Sequence, residues 1–94
     1  MTENAEKVDT LENWRKRLIF RSWHRGTKEM DLLLGNFANI NVPAFNEEQL
    51  QAYEELLSIN DPDLYNMYLG KREPDEDQKS SILDAFLSFV LKPA

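Results

Sequence analysis

Apolar residues recur at spacings of three and four along this 94-residue chain, and no stretch shows the apolar–polar alternation of a strand. Met30, Leu33, Leu34 and Phe37 occupy i, i+3, i+4 and i+7, which is the stripe of a helix buried along one side. A stripe of that kind has to be covered, and the remaining periodic segments offer only further helical stripes to cover it. The chain is thereby constrained to an all-α fold in which helices pack on helices.

Punctuation divides the pattern into five helices. Asp9 with Glu12 reads as a capping box ahead of Leu11, Trp14 and Leu18. Residues 39–45, with Pro43, read as a connector, and Asn46 with Gln49 reads as a second cap before Leu50, Tyr53, Leu56 and Leu57. Asp61 precedes Pro62 as a cap residue before a first-turn proline, and Leu64, Tyr65, Tyr68 and Leu69 continue on one side until Gly70 stops the helix. Asp75, Glu76 and Asp77 suit a helix N-terminus through its dipole, ahead of Ile82, Leu83, Phe86, Phe89 and Val90, and Pro93 closes the pattern. The expectation is a compact five-helix bundle forming a single domain over residues 10–94, preceded by a flexible acidic segment at residues 1–9. Trp14, Phe37, Tyr53 and Phe86 are assigned to its core.

Composition narrows the function classes. The chain has no cysteine and a single histidine, which removes disulfides, a thiolate nucleophile and cysteine-ligated metal. Charged residues make up 30% and the net charge is −6, as expected for a solvated surface. No apolar run exceeds four residues, far short of the ~20 that span a bilayer, so no membrane insertion is expected. Residues 1–9 carry Glu3, Glu6 and Asp9 and lack the character of a signal or transit peptide, and a bacterial cytoplasmic protein is the simplest reading. The three glycines are isolated and form no phosphate cradle, so no cofactor is assigned. The acidic run at 75–77 lacks the spacing of a calcium loop, so no metal is assigned either. No clustered pair of carboxylates stands in an apolar setting, and His24 and Glu29 are five apart and share no helical face, which leaves little for acid–base or nucleophilic catalysis.

Charge is unevenly distributed. Residues 15–28 hold six of the eleven basic residues and no acid, while the rest of the chain carries all seventeen acidic ones. Such polarity suits a face that meets an acidic partner, or simply a solvated helix face. Interleaved with Trp14, Phe20 and Trp23, the same stretch supports an alternative reading as a small nucleic-acid-binding module using residues 14–28. The acidity of the rest of the chain opposes that reading.

Within this stretch, Arg25-Gly26-Thr27-Lys28-Glu29 places charges of both signs around a glycine where the first helix should end and the second begin. If Gly26 is the N-cap, Glu29 stands at N3 and can reach back in a capping box. A local Arg25–Glu29 pair, basic before acidic at i, i+4, would contribute only ~0.2–0.5 kcal/mol, a weak reason for the arrangement. Gly26 could serve the turn alone. It could also let another protein approach bare backbone and meet His24, Arg25, Lys28, Glu29 and Asp31 around it.

The wider context resembles the small succinate dehydrogenase assembly factors. The match runs through Trp23-His24-Arg25-Gly26, Glu29, Asp31-Leu32-Leu33-Leu34 and Phe37. A second block fits at Leu56-Leu57, Asp61-Pro62-Asp63-Leu64-Tyr65 and Tyr68-Leu69-Gly70, so that residues 11–75 are covered. The resemblance implies a five-helix antiparallel bundle. It also implies a non-enzymatic assembly factor, a monomer when free, that binds the flavoprotein subunit of succinate dehydrogenase or fumarate reductase. There it promotes covalent attachment of FAD to a histidine of that subunit. Partner-binding residues carried over are Arg25, Gly26 and Glu29, with His24, Lys28 and Asp31 beside them. Two positions depart from the family pattern: His24 stands where many members have arginine or lysine, and Met67 where many have tryptophan.

Overall fold

The computed structural model describes residues 10–90. It contains five α-helices: α1 (Leu11–Trp23), α2 (Lys28–Asn41), α3 (Glu47–Leu57), α4 (Asp61–Tyr68) and α5 (Ser81–Leu87). Two 3-10 turns, Val42–Ala44 and Glu76–Gln78, complete the regular structure, and no strand occurs among the described residues. The acidic segment 1–9 and Pro93 lie outside the described residues.

Local chemistry sets each start. Thr10 caps α1 by accepting from the Asn13 N–H at 3.0 Å. The cap is thus one residue beyond the expected Asp9, which lies outside the described residues, and Glu12 leans toward Arg15 instead, at 3.9 Å. Asn46 and Gln49 form the expected reciprocal capping box on α3, both bonds 2.8 Å long. Asn60, rather than Asp61, caps α4, accepting from Asp63 N–H at 3.0 Å, and Asp61 and Pro62 fill the first two helical positions. Gly70, at φ +79°, ends α4 as expected. Its N–H bonds Met67 O at 3.1 Å while Lys71 N–H bonds Asn66 O at 2.8 Å, the paired closure of a Schellman motif.

Three expected boundaries move. The connector at 39–45 is shorter than expected, because α2 runs on to Asn41 and Pro43 then takes part in a 3-10 turn. The acidic cluster at 75–77 opens a 3-10 turn closed by the Gln78 side chain on Asp75 N–H at 2.7 Å. Helix α5 begins only after Ser80, whose hydroxyl caps Leu83 N–H at 3.0 Å. It also ends early, at Leu87, so Val90 stands in solvent instead of continuing the stripe.

Helix α1 packs along α2 and across α3, and α3 in turn packs on α5. Phe37 is the hub of the core, with ring centroids 5.8 Å from Tyr53, 5.5 Å from Phe86 and 5.5 Å from Phe89. The edge-on contacts with Phe86 and Phe89 suit the ring quadrupoles. Met67 is buried, Tyr65 and Tyr68 are half-buried, and Leu69 is largely in solvent at the helix end. Trp14 packs at the margin of the core and donates its indole N–H to Glu54 at 2.8 Å.

One polar pair is sealed inside. The Ser22 hydroxyl donates to Leu18 O at 2.7 Å, leaving its lone pairs to accept from the Tyr53 hydroxyl at 2.6 Å. Burial raises the pKa of the Tyr53 hydroxyl above the ordinary tyrosine value, against a smaller opposing effect of the Ser22 bond. The phenol therefore stays neutral and α1 remains pinned to α3.

Candidate functional site

The short link between α1 and α2 is densely bonded. Asp31, one turn into α2, turns its carboxylate back and accepts from Arg25 N–H at 2.6 Å and Gly26 N–H at 3.3 Å. Thr27, rather than Gly26, is the N-cap, accepting from Met30 N–H at 3.3 Å. Glu29 consequently stands at N2 and not at N3, too early for the capping box expected of it. Gly26 is exposed at φ +118°, a backbone conformation open to glycine and strained for other residues, and a Cβ there would meet nothing within 4 Å.

Arg25 reaches away from this loop. Its Nε donates to Asp61 Oδ1 at 2.8 Å, Nη1 to Leu57 O at 2.6 Å and Nη2 to Ile59 O at 2.8 Å. The side chains of Arg25 and Asp61 are only 11% and 17% exposed. Leu57 is the last residue of α3, so its carbonyl has no intrahelical partner and welcomes a cation. Asp61 opens α4, where a carboxylate is favoured by the dipole of that helix. The planar fork of arginine thus bolts the α1–α2 loop to the α3–α4 turn, a geometry that lysine cannot reproduce. Arg25 makes no pair with Glu29.

The six residues singled out from sequence divide accordingly. Arg25 and Asp31 have their charges engaged inside the fold. Gly26, Lys28 and Glu29 face solvent, and the side chains of Lys28 and Glu29 make no bond or ion pair among the described residues. His24 is exposed and stacks on Phe20 at 4.0 Å with the rings 22° apart, while its Nδ1 lies 2.7 Å from Phe20 O. His24, Gly26, Lys28 and Asp31 line one open depression of about 540 Å³ together with Trp23, Thr27 and Leu32. Arg25 and Glu29 flank it without lining it.

Sequence reasoning missed Gly35. A Cβ at this position would overlap the Trp23 ring, so the absence of a side chain is what lets the indole lie against α2. The indole N–H reaches Asn39 at 3.3 Å. Glycine in a helix interior costs ~1 kcal/mol relative to alanine, and that local penalty is the signal that something crosses the helix there. Gly35→Ala is expected to lower stability by about 1–2 kcal/mol, as overpacking outweighs the gain in helix propensity. In a Trp23→Ala background the same substitution should become stabilising, which thermal melting of the four proteins will show.

Residues 16–90 match the family described as flavinator of succinate dehydrogenase. Mitochondrial succinate dehydrogenase assembly factor 2 of Dictyostelium discoideum is 40% identical over 77 residues, covering 82% of this chain and 55% of that protein. The FAD assembly factor SdhE of Acetobacter pasteurianus is 36% identical over 75 residues, covering 80% of this chain and 69% of that one. That of Legionella pneumophila (strain Paris) is 36% identical over 67 residues, 71% of this chain and 85% of that protein. The chain spans little more than half the length of the Dictyostelium protein, and most of the length of the Legionella one. With the family match running from α1 to the end of the described residues, this chain belongs to the flavinator of succinate dehydrogenase family.

Proposed function

We propose that this chain binds the flavoprotein subunit of succinate dehydrogenase, or of a related fumarate reductase, and promotes covalent attachment of FAD to a histidine of that subunit. It acts by positioning and not as an enzyme: the flavin is the electrophile, and the client supplies the histidine. A bound partner that favours the conformation in which the two are aligned raises the rate without supplying an acid, base or nucleophile. The chain takes no cofactor or metal of its own and is a monomer when free.

The observation that carries this reading is the division of labour in the motif loop. Asp31 and Arg25 hold the loop from inside, while Gly26, Lys28 and Glu29 are presented to solvent on a fixed backbone. A rigid loop loses little entropy on docking, and bare backbone permits close approach. Lys28 and Glu29 offer charges of both signs to the partner, and His24 lines the adjoining depression.

Three of the six cations in the basic stretch are engaged within the protein, which weighs against the nucleic-acid alternative. Arg15 donates to Phe45 O at 2.9 Å, Arg21 pairs with Glu54 at 3.6 Å, and Arg25 is engaged with Asp61. These cations are turned to the protein's own carbonyls and carboxylates rather than gathered as a phosphate-binding stripe. No helix among the described residues is long and apolar enough to cross a membrane. A bacterial cytoplasmic setting belongs to the proposal, the relatives including bacterial and mitochondrial proteins alike.

The test is direct. Co-expression of the flavoprotein subunit with this chain, in a host lacking its own assembly factor, should raise covalent flavin on the subunit several-fold. In-gel flavin fluorescence after denaturation reads that quantity. Equal covalent flavin with and without the chain would overturn the reading.

A further inference from the structure

The described surface exposes six large apolar side chains: Leu11, Phe20, Leu32, Ile40, Leu69 and Val90. Single exposed apolar residues are ordinary on a soluble protein. Phe20 is different. It is 62% exposed yet held in place, its ring stacked at 4.0 Å on His24. The imidazole is itself fixed by the 2.7 Å contact of Nδ1 with Phe20 O. His24 and the 39% exposed Leu32 both line the depression beside Gly26; Phe20 does not line it but borders it through its stack on His24. Neither Ile40 nor Val90 takes part in a ring stack or lines this depression.

We propose that Phe20, stacked on His24, is the apolar anchor of the client interface, received by an apolar socket on the flavoprotein subunit next to the surface that meets Gly26, Lys28 and Glu29. This rests on the docking reading above and extends it from the loop to the exposed side of α1. Three observations converge on it. The aromatic side chain is preorganised, so little rotamer freedom remains to be lost on binding. It is continuous, through His24, with the depression that Gly26 and Lys28 line. The unpaired charge of Lys28 lines the same depression as His24, so the aromatic side chain adjoins a surface that also offers a polar contact, as interface anchors do.

The experiment measures affinity of the purified flavoprotein subunit for the full chain and four variants, each checked by thermal melting. Phe20→Ala should weaken binding about 30-fold or more, as for an interface anchor, with melting nearly unchanged because the ring is in solvent. Phe20→Tyr, which keeps the stack, should bind within about threefold of the parent. Ile40→Ala, equally exposed but away from the depression, should bind as the parent does. If Phe20→Ala binds normally while Gly26→Arg does not, the anchor is overturned and the docking loop stands. If Ile40→Ala weakens binding as much as Phe20→Ala, the effect is general surface hydrophobicity and the anchor is likewise overturned. If the parent chain fails to bind the subunit at all, the proposed function falls and the anchor with it.

Discussion

Replacing Arg25 by alanine is expected to destabilise the fold by roughly 2–4 kcal/mol, because three partners are orphaned together. Asp61 loses its counter-ion at a largely buried position, and Leu57 O and Ile59 O lose their donors. In a domain of this size each kilocalorie shifts melting by about 4–8 °C, so the change should be large in a simple thermal scan. Arg25→Lys retains charge but not the fork, and should recover only part of the loss. Asp61→Asn combined with Arg25→Ala should cost clearly less than the two single losses added, the signature of a direct pair. An Arg25→Ala protein that melts like the parent would show that the bolt between the two loops contributes nothing.

The destination of Arg25 was not legible from the sequence. Its charge partner lies 36 positions away, and reasoning from helical neighbours sees only i+3 and i+4, where Glu29 was the obvious candidate. Features set by local chemistry were legible: the stripe of Met30, Leu33, Leu34 and Phe37, the Asn46–Gln49 box, and the stop at Gly70. Boundaries slipped where two residues competed for one cap. Thr27 displaced Gly26 because a hydroxyl can accept from the N3 amide and glycine has nothing to offer. Ser80 displaced the acidic run at 75–77 in the same way, leaving those carboxylates on a 3-10 turn. The site was legible as a location and not as roles. Sequence gathered Gly26 and five residues around it, but which of them face inward depends on loops brought together by packing.

The second large effect is expected at Gly26. Gly26→Arg should reduce affinity for the flavoprotein subunit by at least 100-fold, since a long side chain would project from a backbone that the partner is proposed to cover. The positive φ adds a strain of order 1–3 kcal/mol for any residue with a Cβ, so some loss of melting temperature accompanies it. Gly26→Ala separates the two contributions. Both Cβ atoms enter open space, so alanine and arginine should lower stability alike, while only arginine should eliminate binding. Equal binding by both variants would reduce Gly26 to a residue of the turn.

The Trp23–Gly35 contact gives the protein an optical property. The chain has two tryptophans, and they occupy different surroundings: Trp14 is bonded to Glu54, and Trp23 lies at the depression beside the motif loop. A Trp14→Phe protein would therefore emit from a single indole located at the proposed docking face. Covering that face would exclude water from the ring and move its emission to shorter wavelength. A client already carrying oxidised flavin would in addition quench it by energy transfer. The same fluorophore could then distinguish, in one titration, an empty client from a loaded one.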